Sequence, residues 1–224
     1  MSIWIKICGN TSLADARLAV EAGANAVGFV FAASPRNVTV SEVAAINAHL
    51  PPTVEKIGVF VDATLEEIVS TVQACGLTGV QLHFDADREL PARLHERLGP
   101  EVRILRVIHF SPERASLCAA KIADCARNEH VYAVLVDSST VTAAGGTGKI
   151  FDWKAAHKTL FQNAGTQQRL VAAGGLNPAN VAEAIATLRP WGVDAVSGVE
   201  ATPGRKDAAK VREFIHRGRT ATAV

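Results

Sequence analysis

Short apolar runs recur along the chain at near-regular intervals: Ile3–Ile7, Ala26–Phe31, Glu55–Val61, Gly79–His83, Val102–Ile108, Tyr132–Asp137, Arg169–Ala172 and Asp194–Ser197. They are rich in Val, Ile and Leu, and polar and apolar positions barely alternate within them. A strand with one wet face alternates, whereas a strand covered on both faces does not, so these runs predict the strands of a parallel sheet. Between them the pattern changes to helical spacing. In "TLEEIVSTVQACG", Leu65, Ile68, Val69 and Val72 share one helical face. Thr64 and Glu67 form a capping-box pair, and Gly76 stops the helix. In "NPANVAEAIATL", Asn177 is expected to cap and Pro178 to take the first helical position, with Val181, Ala184, Ile185 and Leu188 turned inward. The first helix is expected from Ser12–Asp15 to near Gly23. The last, "DAAKVREFIHR", turns Val211, Phe214 and Ile215 inward and ends on basic residues that suit the helix dipole.

Eight strand–helix units in 224 residues leave about 28 residues each, enough for a single-domain (β/α)8 barrel, the TIM-barrel architecture. A doubly wound open sheet is the competing topology. Closure is favoured because the units fill the chain, no unit is left for a second domain, and no G-x-G-x-x-G follows the first strand. Residues 1–224 are therefore read as one barrel domain, with 218–224 a frayed tail. Hydrophobic residues make up 48% of the chain, enough for the large core a barrel requires. The formal net charge of +1 gives no support to nucleic-acid or membrane-surface binding, although a small anionic ligand needs only a local field. Cys8, Cys75, Cys118 and Cys125 show no C-x-x-C spacing and no dense framework, and the N-terminal stretch lacks a basic region followed by a long apolar one. These features fit four reduced thiols in a cytoplasmic protein.

In a barrel the chemistry sits at the C-terminal ends of the strands. The residues there are Cys8, Phe31 with the following "AASPRN", Asp62, His83, His109, Asp137, Gly174–Gly175 and Ser197–Gly198. The two glycine-rich stretches, "AAGGLN" and "VSGVEATPG", follow the last two strands. That position often binds phosphate, because glycine lets backbone N–H groups approach an anion; tight turns alone are the alternative. Arg36 in "SPRNV" offers paired donors to a carboxylate. Asp137 closes the very apolar "YAVLVD"; a carboxyl so desolvated favours its neutral form and can donate a proton. Cys8 and Asp137 would then face one another across the mouth as a base–acid pair suited to aldose–ketose chemistry.

The motifs "KICGN", "GFVFAASPRNV", "GVFVD", "GVQLH", "VLVDS", "GGTGKIFDW", "AGGLNPANV" and "GVEATPGRKD" occur in order along nearly the whole chain. On these motifs the sequence resembles the phosphoribosylanthranilate isomerase family of tryptophan biosynthesis. The resemblance implies an Amadori rearrangement of N-(5'-phosphoribosyl)anthranilate to 1-(2-carboxyphenylamino)-1-deoxyribulose 5-phosphate. It makes Asp137 the general acid, Cys8 the general base and Arg36 the holder of the anthranilate end. It assigns phosphate to Gly174, Gly175, Ser197 and Gly198; His83 is expected to bind substrate from its own position at a strand end. It requires no metal and no organic cofactor, because the substrate nitrogen acts as electron sink. Its partner is a small phosphorylated substrate, and the chain is expected as a monomer or homodimer. Two departures stand out: Val196 where a serine is usual, and Phe84 where a glycine is usual. A histidine-pathway isomerase would carry Asp in place of Cys8, and an indole-forming synthase would need Lys and Glu at strand ends. A non-catalytic sugar-phosphate sensor would have lost the acid or the base.

Strand parity adds an expectation of its own. If Cys8 points into the mouth, Lys6 also points inward, and a buried ammonium needs a partner. Asp194 on the neighbouring last strand is the expected partner; the alternative is that Lys6 reaches upward to the substrate. Cys75, Cys118 and Cys125 are expected in the core, His83 and His109 at the pocket rim, and Asp152–Trp153 at a helix start.

Overall fold

The computed structural model describes residues 3–137, 153–162 and 168–221. Eight parallel strands close into a barrel in sequence order: β1 (Trp4–Ile7), β2 (Ala26–Phe31), β3 (Glu55–Phe60), β4 (Gly79–Leu82), β5 (Arg103–His109), β6 (Ala133–Asp137), β7 (Leu170–Ala173) and β8 (Gly192–Ala195). Among the described residues, eight α-helices lie between or after them: α1 (Leu13–Glu21), α2 (Val40–Asn47), α3 (Leu65–Cys75), α4 (Leu90–Leu98), α5 (Ala115–Ala126), α6 (Trp153–Ala156), α7 (Val181–Leu188) and α8 (Ala208–Thr220). The open-sheet alternative is excluded by the pairing of β1 with β8. A two-stranded hairpin, β9 (Glu200–Thr202) with β10 (Arg205–Lys206), was not foreshadowed by any apolar run.

Strand parity divides the core in two. Trp4, Ile57, Leu105, Leu135 and Val171 project into the barrel, whereas Ile5, Phe29, Phe60, Val80 and Val134 pack against the helices. Trp191 stacks on Trp4 at the N-terminal end, with ring centroids 5.2 Å apart. One layer higher the interior turns polar: Lys6, Gln81 and Asp194 are buried there. Lys6 and Asp194 are register partners on β1 and β8, and their side chains pair at 2.9 Å, as parity required.

Local signals explain several helix ends. The Thr64–Glu67 capping box forms, and Gly76 ends α3 in the left-handed conformation. Ser12 caps α1 by accepting from the Asp15 N–H. Four expectations need correction. The last strand is Gly192–Ala195 instead of Asp194–Ser197. Gly192 starts the strand packed on β1, where an added Cβ would lie 2.9 Å from the Trp4 carbonyl oxygen. Past Ala195 the backbone leaves the extended region at Val196, and Ser197–Val199 forms a 3-10 turn. The seventh helix starts at Val181 and not at Pro178; Asn177 instead holds a tight turn, its side chain accepting from Ala179 while its own N–H donates to Asn180 Oδ1. β5 extends through His109, one residue further than the run. The tail expected to fray from residue 218 is helical through Thr220, held by buried Gly218 against Ile5 and by Arg219 donating to the Gly23 carbonyl. The expected Asp152 anchor lies outside the described residues.

Candidate active site

A cavity of about 530 Å³ opens at the C-terminal ends of the strands, within the usual size range for a small-ligand site. Cys8 reaches it from the residue after β1, Asp137 from the last residue of β6 and His83 from the residue after β4. The loop after β2 contributes Arg36. Gly174, Gly175, Ser197 and Gly198 form one wall, and Gln81 and Asp194 the floor. Cys8, Arg36, His83, Asp137, Gly174, Gly175, Ser197 and Gly198 therefore line a single cavity, whereas the strand-end candidates Phe31, Asp62 and His109 do not. The His109 ring lies next to that of His83, with ring centroids 5.0 Å apart.

The glycine wall is built by close backbone approach. Gly174 and Gly175 both take positive φ, 89° and 66°, which an L side chain rarely adopts. A Cβ on Gly198 would overlap the Leu176 carbonyl oxygen, so the loops after β7 and β8 pack backbone to backbone. Val196 stands at the cavity edge where the family departure was noted, and Phe84 packs against the core instead.

Cys8 is 3% exposed, and burial pushes its thiol above the ordinary value, with Lys6 pulling it back. The resting group is therefore the thiol at neutral pH. Gly28 on β2 makes room for it: an added Cβ there would sit 2.5 Å from the sulfur. His83 is held below its ordinary pKa chiefly by burial, so it is a neutral imidazole at pH 7. The other three cysteines are buried and free. The Cys75 thiol donates to the Val40 carbonyl and the Cys118 thiol to that of His109, in keeping with packing roles.

Arg36 differs from expectation. Its paired donors are already engaged: Nε donates to Glu200 Oε1 at 2.8 Å and Nη2 to Glu200 Oε2 at 2.7 Å. Glu200 also meets Lys206, whose Nζ donates to the Cys8 carbonyl at 2.6 Å and to that of Val196 at 3.2 Å. Burial alone would push the Glu200 carboxyl up; hydrogen bonding to Arg36 and the charge of Lys206 outweigh it and hold the group below the usual range. Sequence reasoning did not assign Glu200, Lys206, Gln81 or Gly28. The first two stand in the quoted "GVEATPGRKD", so the signal was present without a role.

The geometry defines a (β/α)8 barrel whose mouth brings a thiol and a carboxyl to one cavity beside a wall of glycine backbone. The sequence matches the family described as N-(5'phosphoribosyl)anthranilate (PRA) isomerase across residues 5–217. Curated relatives with that name include one from Pelobacter propionicus, 44% identical over 95% of this chain and 94% of the relative. Another, from Trichlorobacter lovleyi, is 42% identical over 98% and 99%. A crystal structure of the Thermotoga maritima isomerase superposes with a TM-score of 0.82 at 35% identity, covering 97% of this chain and 99% of that one. A further isomerase structure, in complex with reduced 1-(o-carboxyphenylamino)-1-deoxyribulose 5-phosphate, has a TM-score of 0.79 at 33% identity, covering 97% and 99%. The chain belongs to the phosphoribosylanthranilate isomerase family.

Proposed function

We propose that this chain isomerises N-(5'-phosphoribosyl)anthranilate to 1-(2-carboxyphenylamino)-1-deoxyribulose 5-phosphate in tryptophan biosynthesis, with Asp137 as general acid and Cys8 as general base. The observation that carries the assignment of roles is the convergence of these two groups, from β1 and β6, on one cavity with a glycine wall. Asp137 gives its proton to the ribose ring oxygen as the C1–O bond breaks, and the anilino nitrogen supplies the electrons that form the iminium. Cys8 as thiolate takes the proton from C2, and the C2–H electrons reduce the iminium to an enolamine. Tautomerisation of the enolamine gives the ketone. The cationic iminium favours thiolate formation next to it, which offsets the upward push that burial exerts on Cys8. No external electron carrier is needed, because the redox change stays within the sugar.

The substrate phosphate is placed against Gly174, Gly175, Ser197 and Gly198. The anthranilate carboxylate is placed against Arg36, through Nη1, which has no partner among the described residues, while Glu200 holds the other side of the guanidinium. His83 lines the sugar pocket. The isomerase from Thermotoga maritima is described as dimeric; a monomer or a homodimer in the cytoplasm is the working arrangement for this chain, decided by sedimentation. No described helix is long and apolar enough to cross a membrane. The test of function is turnover of N-(5'-phosphoribosyl)anthranilate, followed by loss of its fluorescence. Cys8→Ala and Asp137→Asn should each lower kcat by at least about 10²–10⁴-fold. Near-normal rates in either would break the assignment.

A further inference from the structure

Three adjacent strands deliver two imidazoles and a carboxylate to one point. His83 follows β4, and His109 and Asp137 end β5 and β6, where they are register partners. All three share the inward parity of their strands. Each presents one potential ligand atom, and these atoms lie within 4.8 Å of one another. We propose that His83, His109 and Asp137 form a binding site for one divalent transition-metal ion of the zinc class, and that its occupancy switches the enzyme off.

The donor set suits that ion. Two neutral imidazoles and a carboxylate are a recurrent three-ligand set for zinc, with the fourth position left to water or substrate. Tetrahedral bonds of about 2.0–2.1 Å put ligand atoms roughly 3.3 Å apart, so rotation of the side chains about their own bonds closes the site without moving strands. His109 Nδ1 is buried without a hydrogen-bond partner, and an orphaned ring nitrogen calls for an explanation that a bound ion supplies. Entry is open: His83 and Asp137 line the main cavity, and His109 lines a second recess of about 590 Å³ beside it. Nothing in the isomerisation calls on His109. The binding claim rests on the three side chains alone. The consequence for turnover rests on the proposed role of Asp137, since a carboxylate bound to an ion cannot hand a proton to the ring oxygen.

The test separates the two claims. Zn²⁺ is titrated into the enzyme by calorimetry without substrate, and Co²⁺ substitution is followed by its visible d–d absorption. One ion per chain is expected, with a low-coordinate cobalt spectrum. His109→Gln should weaken binding at least about tenfold, while circular dichroism and uninhibited turnover stay close to wild type. His83→Gln repeats the binding test from the opposite side if His109→Gln fails to fold. Cys8→Ser should keep the full binding isotherm. In turnover assays Zn²⁺ should lower the apparent kcat, be reversed by a chelator, and lose its effect in His109→Gln. Absence of saturable binding, binding unchanged in both histidine variants, or binding lost in Cys8→Ser would each overturn the site. Binding without inhibition would leave the ion in place and remove the proposed switch, whatever the outcome of the isomerase test.

Discussion

Lys6→Met probes the polar layer beneath the active site. The Lys6 ammonium is fully buried and its Asp194 partner is 4% exposed, at 2.9 Å across the seam where β1 closes on β8. Methionine fills much of the lysine stem, so the substitution removes charge more than volume. It leaves the Asp194 carboxylate without its cation and with Oδ1, which already has no hydrogen-bond partner, still buried. Breaking a buried pair from one side costs about 3–5 kcal/mol. The whole stability of a domain is about 5–15 kcal/mol, so the loss is a large share of it. With a urea slope near the upper end of about 1–3 kcal/mol per M for a chain this long, the midpoint should fall by about 1–2 M.

The pH dependence gives an independent check. In the native protein burial pushes the Asp194 carboxyl above its usual range, and Lys6 is the strongest influence in the other direction. Removing Lys6 therefore raises that pKa further. A carboxyl with a raised folded-state pKa is fully stabilising below its unfolded value and loses that contribution as pH rises through its folded value. The deficit of Lys6→Met should thus be largest at neutral and higher pH and shrink as the solution is acidified. The double variant Lys6→Met/Asp194→Leu should recover most of the loss, since an apolar pair of similar size replaces a buried ion pair at little or no cost. Urea unfolding at several pH values measures all three quantities. A single variant that loses less than about 1 kcal/mol at pH 7, or a deficit that does not change with pH, would refute the reasoning that this pair is desolvated.

Glu200→Gln should free the Arg36 fork and leave the buried Lys206 ammonium without its carboxylate. The expected result in steady-state kinetics is a KM for phosphoribosylanthranilate raised about tenfold or more with a smaller change in kcat, and an unaltered KM would remove Glu200 from the positioning of Arg36. Because burial pushes Cys8 up, kcat/KM should go on climbing as pH rises through neutrality toward and past the ordinary thiol value of about 8.5; a pH profile that Cys8→Ser leaves unchanged would exclude the thiol as base. Gly28→Ala places a Cβ 2.5 Å from the Cys8 sulfur. Displacing the base by about 1 Å should lower kcat about 10²-fold, with the fall in thermal midpoint reported separately, and full activity would mean that the sulfur position is not critical.

The barrel was legible because its strands are short and buried on both faces, so continuous apolar runs mark them and helical stripes mark what lies between. The misread elements are those where tertiary contact overrides a local rule. The last strand starts at Gly192, packed on β1 where Trp4 occupies the space a side chain would need. Asn177 and Pro178 look like a helix start, but hydrogen bonds among Asn177, Ala179 and Asn180 use them to turn the chain first. Within the site, Cys8, Asp137, His83 and the glycines could be picked out because strand ends select them. Parity also gave the Lys6–Asp194 pair, since that contact lies between neighbouring strands. The Arg36–Glu200 pairing spans 164 positions and depends on a hairpin with no periodic signature, so no spacing rule could have disclosed it.

That hairpin changes how Cys8 is held. Lys206 Nζ donates to the Cys8 carbonyl and to the Val196 carbonyl, so the peptide carrying the thiol and the strand-eight edge beside the glycine wall share one ammonium. The same ammonium meets Glu200, and Glu200 holds Arg36. The base, the loop assigned to phosphate and the arginine assigned to carboxylate are thus joined by a single chain of charge-assisted contacts, which are stronger than neutral ones. A substrate anchored at both anionic ends would have its sugar fixed relative to the sulfur by the protein's own bonds. Asp137, assigned as the acid, reaches the cavity from β6. If the network sets the register of base against sugar, Lys206→Met should depress kcat for the full substrate, while Asp137→Asn should lose rate by a different route, leaving substrate affinity near normal. If Lys206 acts only through the base side, combining the two gives additive losses in activation free energy. A strong departure from additivity would mean that acid and base are held by one structure after all.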